Sequence, residues 1–122
     1  MDVLLGIGGS DDSVRALEWT LDRARAAGDD LTVAVVENPE SERDVEDIVA
    51  DVRERLNDAG VDAEIQRVSG NPGSALVELA ESGEYDQLVL GGGEESPMGK
   101  IRLGNMSEFV LLNSHVTVTL VR

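Results

Sequence analysis

Cysteine is absent from the 122 residues, and with it go disulfides, thiolate nucleophiles and cysteine-held metals. The single histidine, His115, falls in a stretch that reads as a strand, which removes any histidine-based metal cluster. Long apolar runs are missing as well. No segment approaches the roughly 20 residues that span a bilayer, and the opening "MDVLLGIGGS" lacks the basic flank of a secretory signal. These absences set the expectation of a cytoplasmic chain with no membrane and no metal. Positive charge is scarce: nine arginines and Lys100 stand against 25 acids, for a formal net charge of −15. A field of that sign repels nucleic acid and anionic membrane surfaces. Disorder would account for so much acid, but 41% of the residues are hydrophobic and they recur with clear periods. A halophilic cytoplasm accounts for it better, since at about 1 M salt the screening length is only about 3 Å and an acidic surface keeps a protein in solution. The alternative is an acidic protein of an ordinary cytoplasm.

What is present is an alternation. "DVLLGIG" (2–8) is a continuous apolar run of the kind that forms a strand buried on both faces. "GSDDSVRALEWTLDRARAAG" (9–28) reads as a helix, capped by Ser10 or Asp11, stopped by Gly28, with Val14, Leu17, Leu21 and Ala24 on one face. "LTVAVVEN" (31–38) is a second buried strand. Residues 42–58 carry Val45, Ile48, Val49, Val52 and Leu56 at helical spacing. "DAEIQRVS" has the more polar character of an edge strand. "NPGSALVELAES" (71–82) opens with Asn71 as N-cap and Pro72 at the first helical position, where its missing N–H costs nothing. "YDQLVLGG" is a fourth strand, "NMSEFVLLNS" a helix and "HVTVTLVR" a closing strand. Strands alternating with helices predict one domain over 1–122, with right-handed crossovers and a parallel sheet covered on both faces. Ligands of such sheets sit beyond the carboxyl ends of the strands, here "GIGGS", "VVENPE" and "LGGGEE".

Three passages, in order and over essentially the whole chain, resemble the universal stress protein family. "GGSDDSVRALEWTLDRA" follows strand one as that family's opening does. "SGNPGSALVELAESGEYDQLVLGG" is similar to its Gly-x-Pro, helix and strand passage, and "SPMGKIRLGNMSEFVLLNSHVTVTLVR" to its Leu-Gly-Ser-x-Ser-Glu helix and closing valine strand. The resemblance implies a flavodoxin/Rossmann-like three-layer α/β sandwich with a five-stranded parallel sheet of order 3-2-1-4-5. It also implies a homodimer through the last strand and, in some members, ATP binding.

The family's nucleotide-binding branch is marked by Gly-x2-Gly-x9-Gly-Ser/Thr after strand four. Here those positions hold Gly91, Glu94, Gly104 and Asn105, so two of four are kept. Where such members carry an Asp facing base and ribose, this chain has Gly8; Val35 stands where they bond adenine through backbone. By this resemblance the nucleotide site comprises Gly8, Gly9, Ser10, Val35, Gly91, Gly92, Gly93, Lys100, Gly104, Asn105 and Ser107, with ATP or AMP as ligand. The chain then reads as a haloarchaeal-like member with a degenerate motif.

The residues themselves argue both ways. Glycine lets backbone amides approach a phosphate, whereas a glutamate beside a polyanion repels it, by about 4 kcal/mol for unit charges ~4 Å apart at an effective dielectric of ~20. Gly91, Gly92 and Gly93 can form an anion nest, with Lys100 and Arg102 as the loop's only bases. The plainer account is a glycine turn, with Asn105 and Glu108 as a helix capping box. A Walker loop fails because Glu94 and Ile101 replace its glycine and hydroxyl. Ser114 and His115 are adjacent strand residues that point to opposite faces, so they form no catalytic pair. The acidic turns lack the spacing of a calcium loop. No constellation supplies a nucleophile with a base, and the expectation is a regulatory or protective module, not an enzyme. Two readings stay open: an adenine-nucleotide module, or a dimeric interaction module that has lost its nucleotide. For the dimer, "HVTVTLVR" presents Val116, Val118 and Leu120 on a strand without Pro or Lys to guard its edge.

Overall fold

A computed structural model describes residues 1–8, 11–37, 43–92, 94, 95, 101, 102 and 104–121. Along them run β1 (Asp2–Ile7), α1 (Asp11–Ala27), β2 (Asp30–Val36), α2 (Val45–Ala59), β3 (Ala63–Val68) and α3 (Pro72–Ser82). Then follow β4 (Gln87–Gly91), β5 (Glu94–Glu95), β6 (Ile101–Arg102), α4 (Asn105–Asn113) and β7 (Thr117–Val121). Five strands form one parallel sheet in the order β3-β2-β1-β4-β7, which is the expected 3-2-1-4-5 arrangement with β7 as the fifth.

Successive strand residues face opposite sides of the sheet, so the apolar runs feed two cores. Val3, Leu5 and Ile7 of β1, with Val33 and Val35 of β2, pack under Leu17 and Leu21 of α1 and Ile48, Val52 and Leu56 of α2. Leu4, Ala34, Val36, Leu88 and Leu90 turn the other way, onto Leu76 and Ala80 of α3 and Val110 of α4. Helices therefore cover both faces. Gly6 breaks the run on the central strand for a reason of space: a Cβ there would come within 2.8 Å of the Leu76 and Leu90 side chains. Glycine lets α3 lie close on the sheet. Gly73 does the same between helices, since its Cβ would meet Phe109 of α4 at 2.7 Å.

The helix ends follow their sequence signals. Gly60 takes a left-handed conformation (φ 68°) and closes α2. Asn71 caps α3, its Oδ1 accepting from the Ser74 N–H at 3.1 Å, with Pro72 first in the helix. Three expectations are corrected. Residues 94–95 and 101–102, expected as plain loop, pair as a short antiparallel ribbon. The last strand begins at Thr117 and not at His115, because the Ser114 hydroxyl takes the Val116 N–H (3.0 Å) and bonds back to the Val116 carbonyl (3.1 Å). That local turn competes with the sheet ladder. Val116 therefore lies ahead of the strand; the half-buried Val116, Val118 and Leu120 pack on the α3/α4 core, while β7 itself stands at an end of the sheet. Finally, the N-cap of α4 is Gly104, without a side-chain cap, and Asn105 is the first helical residue, so Asn105 and Glu108 form no capping box. Among the described residues no helix is long and apolar enough to cross a membrane.

Candidate functional site

Because all five strands are parallel, their carboxyl ends share one rim. From β1 the chain winds outward through β2 and β3, then returns to the other side of β1 with β4 and β7. The order thus reverses between β1 and β4, where helix crossovers leave opposite faces and open a crevice. Leu5 stands beside Val89 in the ladder, so Ile7–Gly8 and Gly91–Gly92 end at the same level.

Each strand end contributes something different. Gly8 is buried, and its N–H donates to the Ser13 Oγ at 3.3 Å. Gly9 and Ser10 lie outside the described residues. Val35 is fully buried inside β2, in register with Ile7 on one side and Arg67 on the other, and the rim of that strand is at Val36 and Glu37. The Glu37 N–H bonds the Val68 carbonyl at 2.9 Å, and its carboxylate lies 3.6 Å from the Arg67 guanidinium. An acid at the rim is thereby matched by a base. On β4, Gly91 and Gly92 are both buried; the Gly91 carbonyl accepts from the Ser107 hydroxyl at 3.1 Å, and the Gly92 N–H donates to the Val121 carbonyl at 2.7 Å. Gly93 and Lys100 lie outside the described residues. In the ribbon that follows, Glu94 is in register with Arg102 and Glu95 with Ile101. The chain then enters α4 through the exposed Gly104 and Asn105.

The fold therefore brings Gly8, Gly91, Gly92, Gly104, Asn105 and Ser107 to one rim, while Val35 sits one step inside it. The Gly8 and Gly92 N–H groups are taken by the Ser13 hydroxyl and the Val121 carbonyl, so what this rim offers an anion among the described residues is the positive end of α4, which starts at a glycine N-cap. Among the described residues no group of His, Cys, Asp or Glu is placed to hold a metal. Two features escape sequence reasoning. Ser13 has a signal that could reveal it, because it stands four residues before Leu17 on the apolar stripe of α1, an odd place for a hydroxyl. A small recess beside the end of β1, lined by Ile7, Val14, Leu17, Ile48 and Val52 together with Ser13, Arg43 and Asp51, has no linear signal. It arises only when α1 and α2 pack side by side.

Comparison with known proteins gives one answer. The model of the universal stress protein family matches residues 1–122. A solved universal stress protein in complex with cAMP shares 32% identity and superposes with a TM-score of 0.79, covering 100% of this chain and 96% of that one. The stress response protein NhaX of Bacillus subtilis (strain 168) is 27% identical over 96 residues, 76% of this chain and 58% of its own length. A universal stress protein of Methanocaldococcus jannaschii is 30% identical over 71 residues, 58% of this chain and 42% of its own. The chain thus spans about half the length of these two curated relatives.

Proposed function

Since the chain belongs to the universal stress protein family, we propose that it is a regulatory or protective module of the stress response, without catalytic activity, that binds an adenine nucleotide in the crevice between β1 and β4. The observation that carries this reading is the pairing of two glycine-ended strands at one rim with the N-terminus of α4, which starts at Gly104. A solved relative of 32% identity holds cAMP, which supports the same ligand class. A single phosphate suits this loop better than three. Glu94 and Glu95 occupy the segment where the nucleotide-binding branch has glycine, and repulsion grows with each added phosphate charge. AMP or cAMP is therefore preferred to ATP. The strongly acidic composition, −15 overall, supports a halophilic cytoplasm as the working environment.

Calorimetric titration with cAMP, AMP and ATP in molar potassium chloride tests the reading. Saturable binding of the monophosphates is expected, weakened by Lys100→Ala and strengthened about tenfold by Glu94→Gly, a change of about 1.4 kcal/mol. No binding by a folded protein would overturn it.

A second reading rests on a separate observation. Among the described residues β7 pairs on one side only, with β4, and carries no charge over Thr117–Val121, and α4 before it exposes Leu111 and Leu112. Both features suit a homodimer through β7, which serves as an interaction module with or without a nucleotide.

A further inference from the structure

The two helical layers of the sandwich carry unlike surfaces. α1 holds Arg15, Arg23 and Arg25, and α2 holds Arg53 and Arg55. Ion pairs of Arg23 with Asp29 and of Arg55 with Glu18 and Asp51 tie that layer together. Its exposed aromatic, Trp19, lies under the Arg23 guanidinium, 5.9 Å from the ring centroid. α3 and α4 carry no Lys or Arg. Their acids are the exposed Glu78, Glu81 and Glu108, and among the described residues no cationic side chain pairs with them. The Glu81 carboxylate accepts the His115 N–H at 3.3 Å, which places it beside the end of α4. α4 itself shows apolar side chains on more than its inner face: Val110 is buried, while Phe109, Leu111 and Leu112 are all exposed. A helix apolar on several sides belongs in an interior. Phe109 marks one of those sides, because a Cβ on Gly73 of α3 would meet its ring at 2.7 Å. Leu111 comes two residues later, about 200° around the axis, and so turns away from α3. A copy paired at β7 reaches Leu111 but not Phe109. Leu112, one turn after Phe109, stands on the outer crest with Glu108 one turn before it.

We propose that the outer face of α3 and α4, centred on Phe109, docks a cationic amphipathic helix of another protein. The apolar side of that helix covers Phe109 and Leu112, and its Lys or Arg side chains meet Glu78, Glu81 and Glu108. Charge complementarity selects this occupant. A second copy on the same face would set three carboxylates against their own equivalents across a two-fold axis. An anionic membrane surface is repelled for the same reason. At about 1 M salt the screening length is only about 3 Å, so ion pairs persist there only in direct contact. Apolar burial then supplies the affinity, and the carboxylates reject acidic competitors. This surface is independent of the proposed nucleotide site.

The test titrates the protein with two synthetic helices of about 16 residues, followed by fluorescence anisotropy at about 0.2 and about 1 M potassium chloride. Both peptides carry the same leucine stripe; the polar face is lysine in one and glutamate in the other. The lysine helix should bind saturably, at least about tenfold tighter than the glutamate helix. Phe109→Ala should weaken it about tenfold, as expected of an aromatic anchor. Glu78→Lys should weaken it about fivefold at the lower salt. Glu54→Lys makes the same change of charge at an exposed position of α2 and should leave binding as it was. If circular dichroism shows the Phe109 variant unfolded, the Glu78 and Glu54 variants decide. Equal losses for those two would mean attraction to net charge alone and overturn the docking face. So would equal binding of the two helices, no saturable binding of the lysine helix, or undiminished binding by folded Phe109→Ala. Self-association of the wild type that Phe109→Ala abolishes in sedimentation would give the face to a second copy and overturn the proposal as well.

Discussion

At one side of the sheet, β3 alternates the half-buried Ala63, Ile65 and Val68 with the exposed Glu64 and Arg67, and Arg67 meets Glu37 across the surface. At the other side, β7 runs Thr117, Val118, Thr119, Leu120 and Val121 without a charge. Just before it, α4 exposes Leu111 at 44% and Leu112 at 74%. Among the described residues each of these strands has a neighbour on one side only, which leaves a row of backbone donors and acceptors for another partner. Charged side chains protect such an edge from pairing with another chain, and their absence invites it. In a sequence with 25 acids, an edge and helix turn free of them is the surface best suited to a second copy. The difference teaches that the two ends of one sheet can be guarded unequally: β3 carries charges that protect its edge, and β7 carries none.

The largest effect should come from breaking the β7 side. Leu112→Asp replaces an exposed apolar contact by a charge that would face its own copy across a two-fold axis. The dimer is expected to weaken about 100-fold by sedimentation, while the stability of the monomer changes by less than about 0.5 kcal/mol, as for other surface substitutions. Glu64→Ala on β3 should leave the sedimentation profile as it was. A wild type that sediments as a monomer in molar salt would sink the assembly reading.

A smaller effect is expected from loosening β7 at its inner side. Gln87 is a buried amide in β4, 7% exposed, and it donates to the Thr119 hydroxyl on β7. Thr119→Val keeps the shape and removes the acceptor, leaving the amide without it at a cost of about 1–3 kcal/mol. Denaturant unfolding measures this. The counterpart on β3 is Gln66→Val, which loses only an exposed bond to Glu64 and should cost under about 0.5 kcal/mol. Equal costs at the two edges would show that the Gln87 bond does not hold β7 to the sheet.

Much of this contrast is legible in the chain. The parallel sheet and its two-faced core follow from continuous runs such as "VLLGI" and "TVAVV" alternating with helices at a clean 3.6 period, whereas the order 3-2-1-4-5 is what the resemblance to the universal stress protein family implies. The polar character of "AEIQRV" is enough to mark β3 as an edge strand. The site is legible in part, because glycines at strand ends and Pro72 or Gly104 at helix starts are local signals. Contact between distant segments is what the linear pattern does not carry. The Ser107 hydroxyl reads as ligand-facing from its place in a motif, but Gly91 lies 16 residues away and is its partner only once α4 folds back on β4. The start of β7 differs from its expected place for a local reason, since a serine hydroxyl that bonds its own backbone competes with a strand and no pattern of apolar residues reveals it. The ribbon at 94–95 and 101–102 involves two residues on each side, too short for an alternation to show.

The smallest effect separates the edges by their response to salt. Arg67 and Glu37 are about half exposed and 3.6 Å apart, so their pairing contributes roughly 0–1 kcal/mol and is screened readily. From about 0.1 to 1 M potassium chloride the screening length falls from about 10 to about 3 Å. Over that range the cost of Arg67→Ala, read by denaturant unfolding, should shrink toward zero. The β7 dimer should respond in the other direction: two copies that each carry −15 repel at low salt, while the apolar contacts of Leu111, Leu112 and the strand edge are not weakened by screening. Its dissociation constant should fall as salt rises. A dimer that loosened with salt would be held by charge pairs, and the roles of β3 and β7 would then have to be reversed.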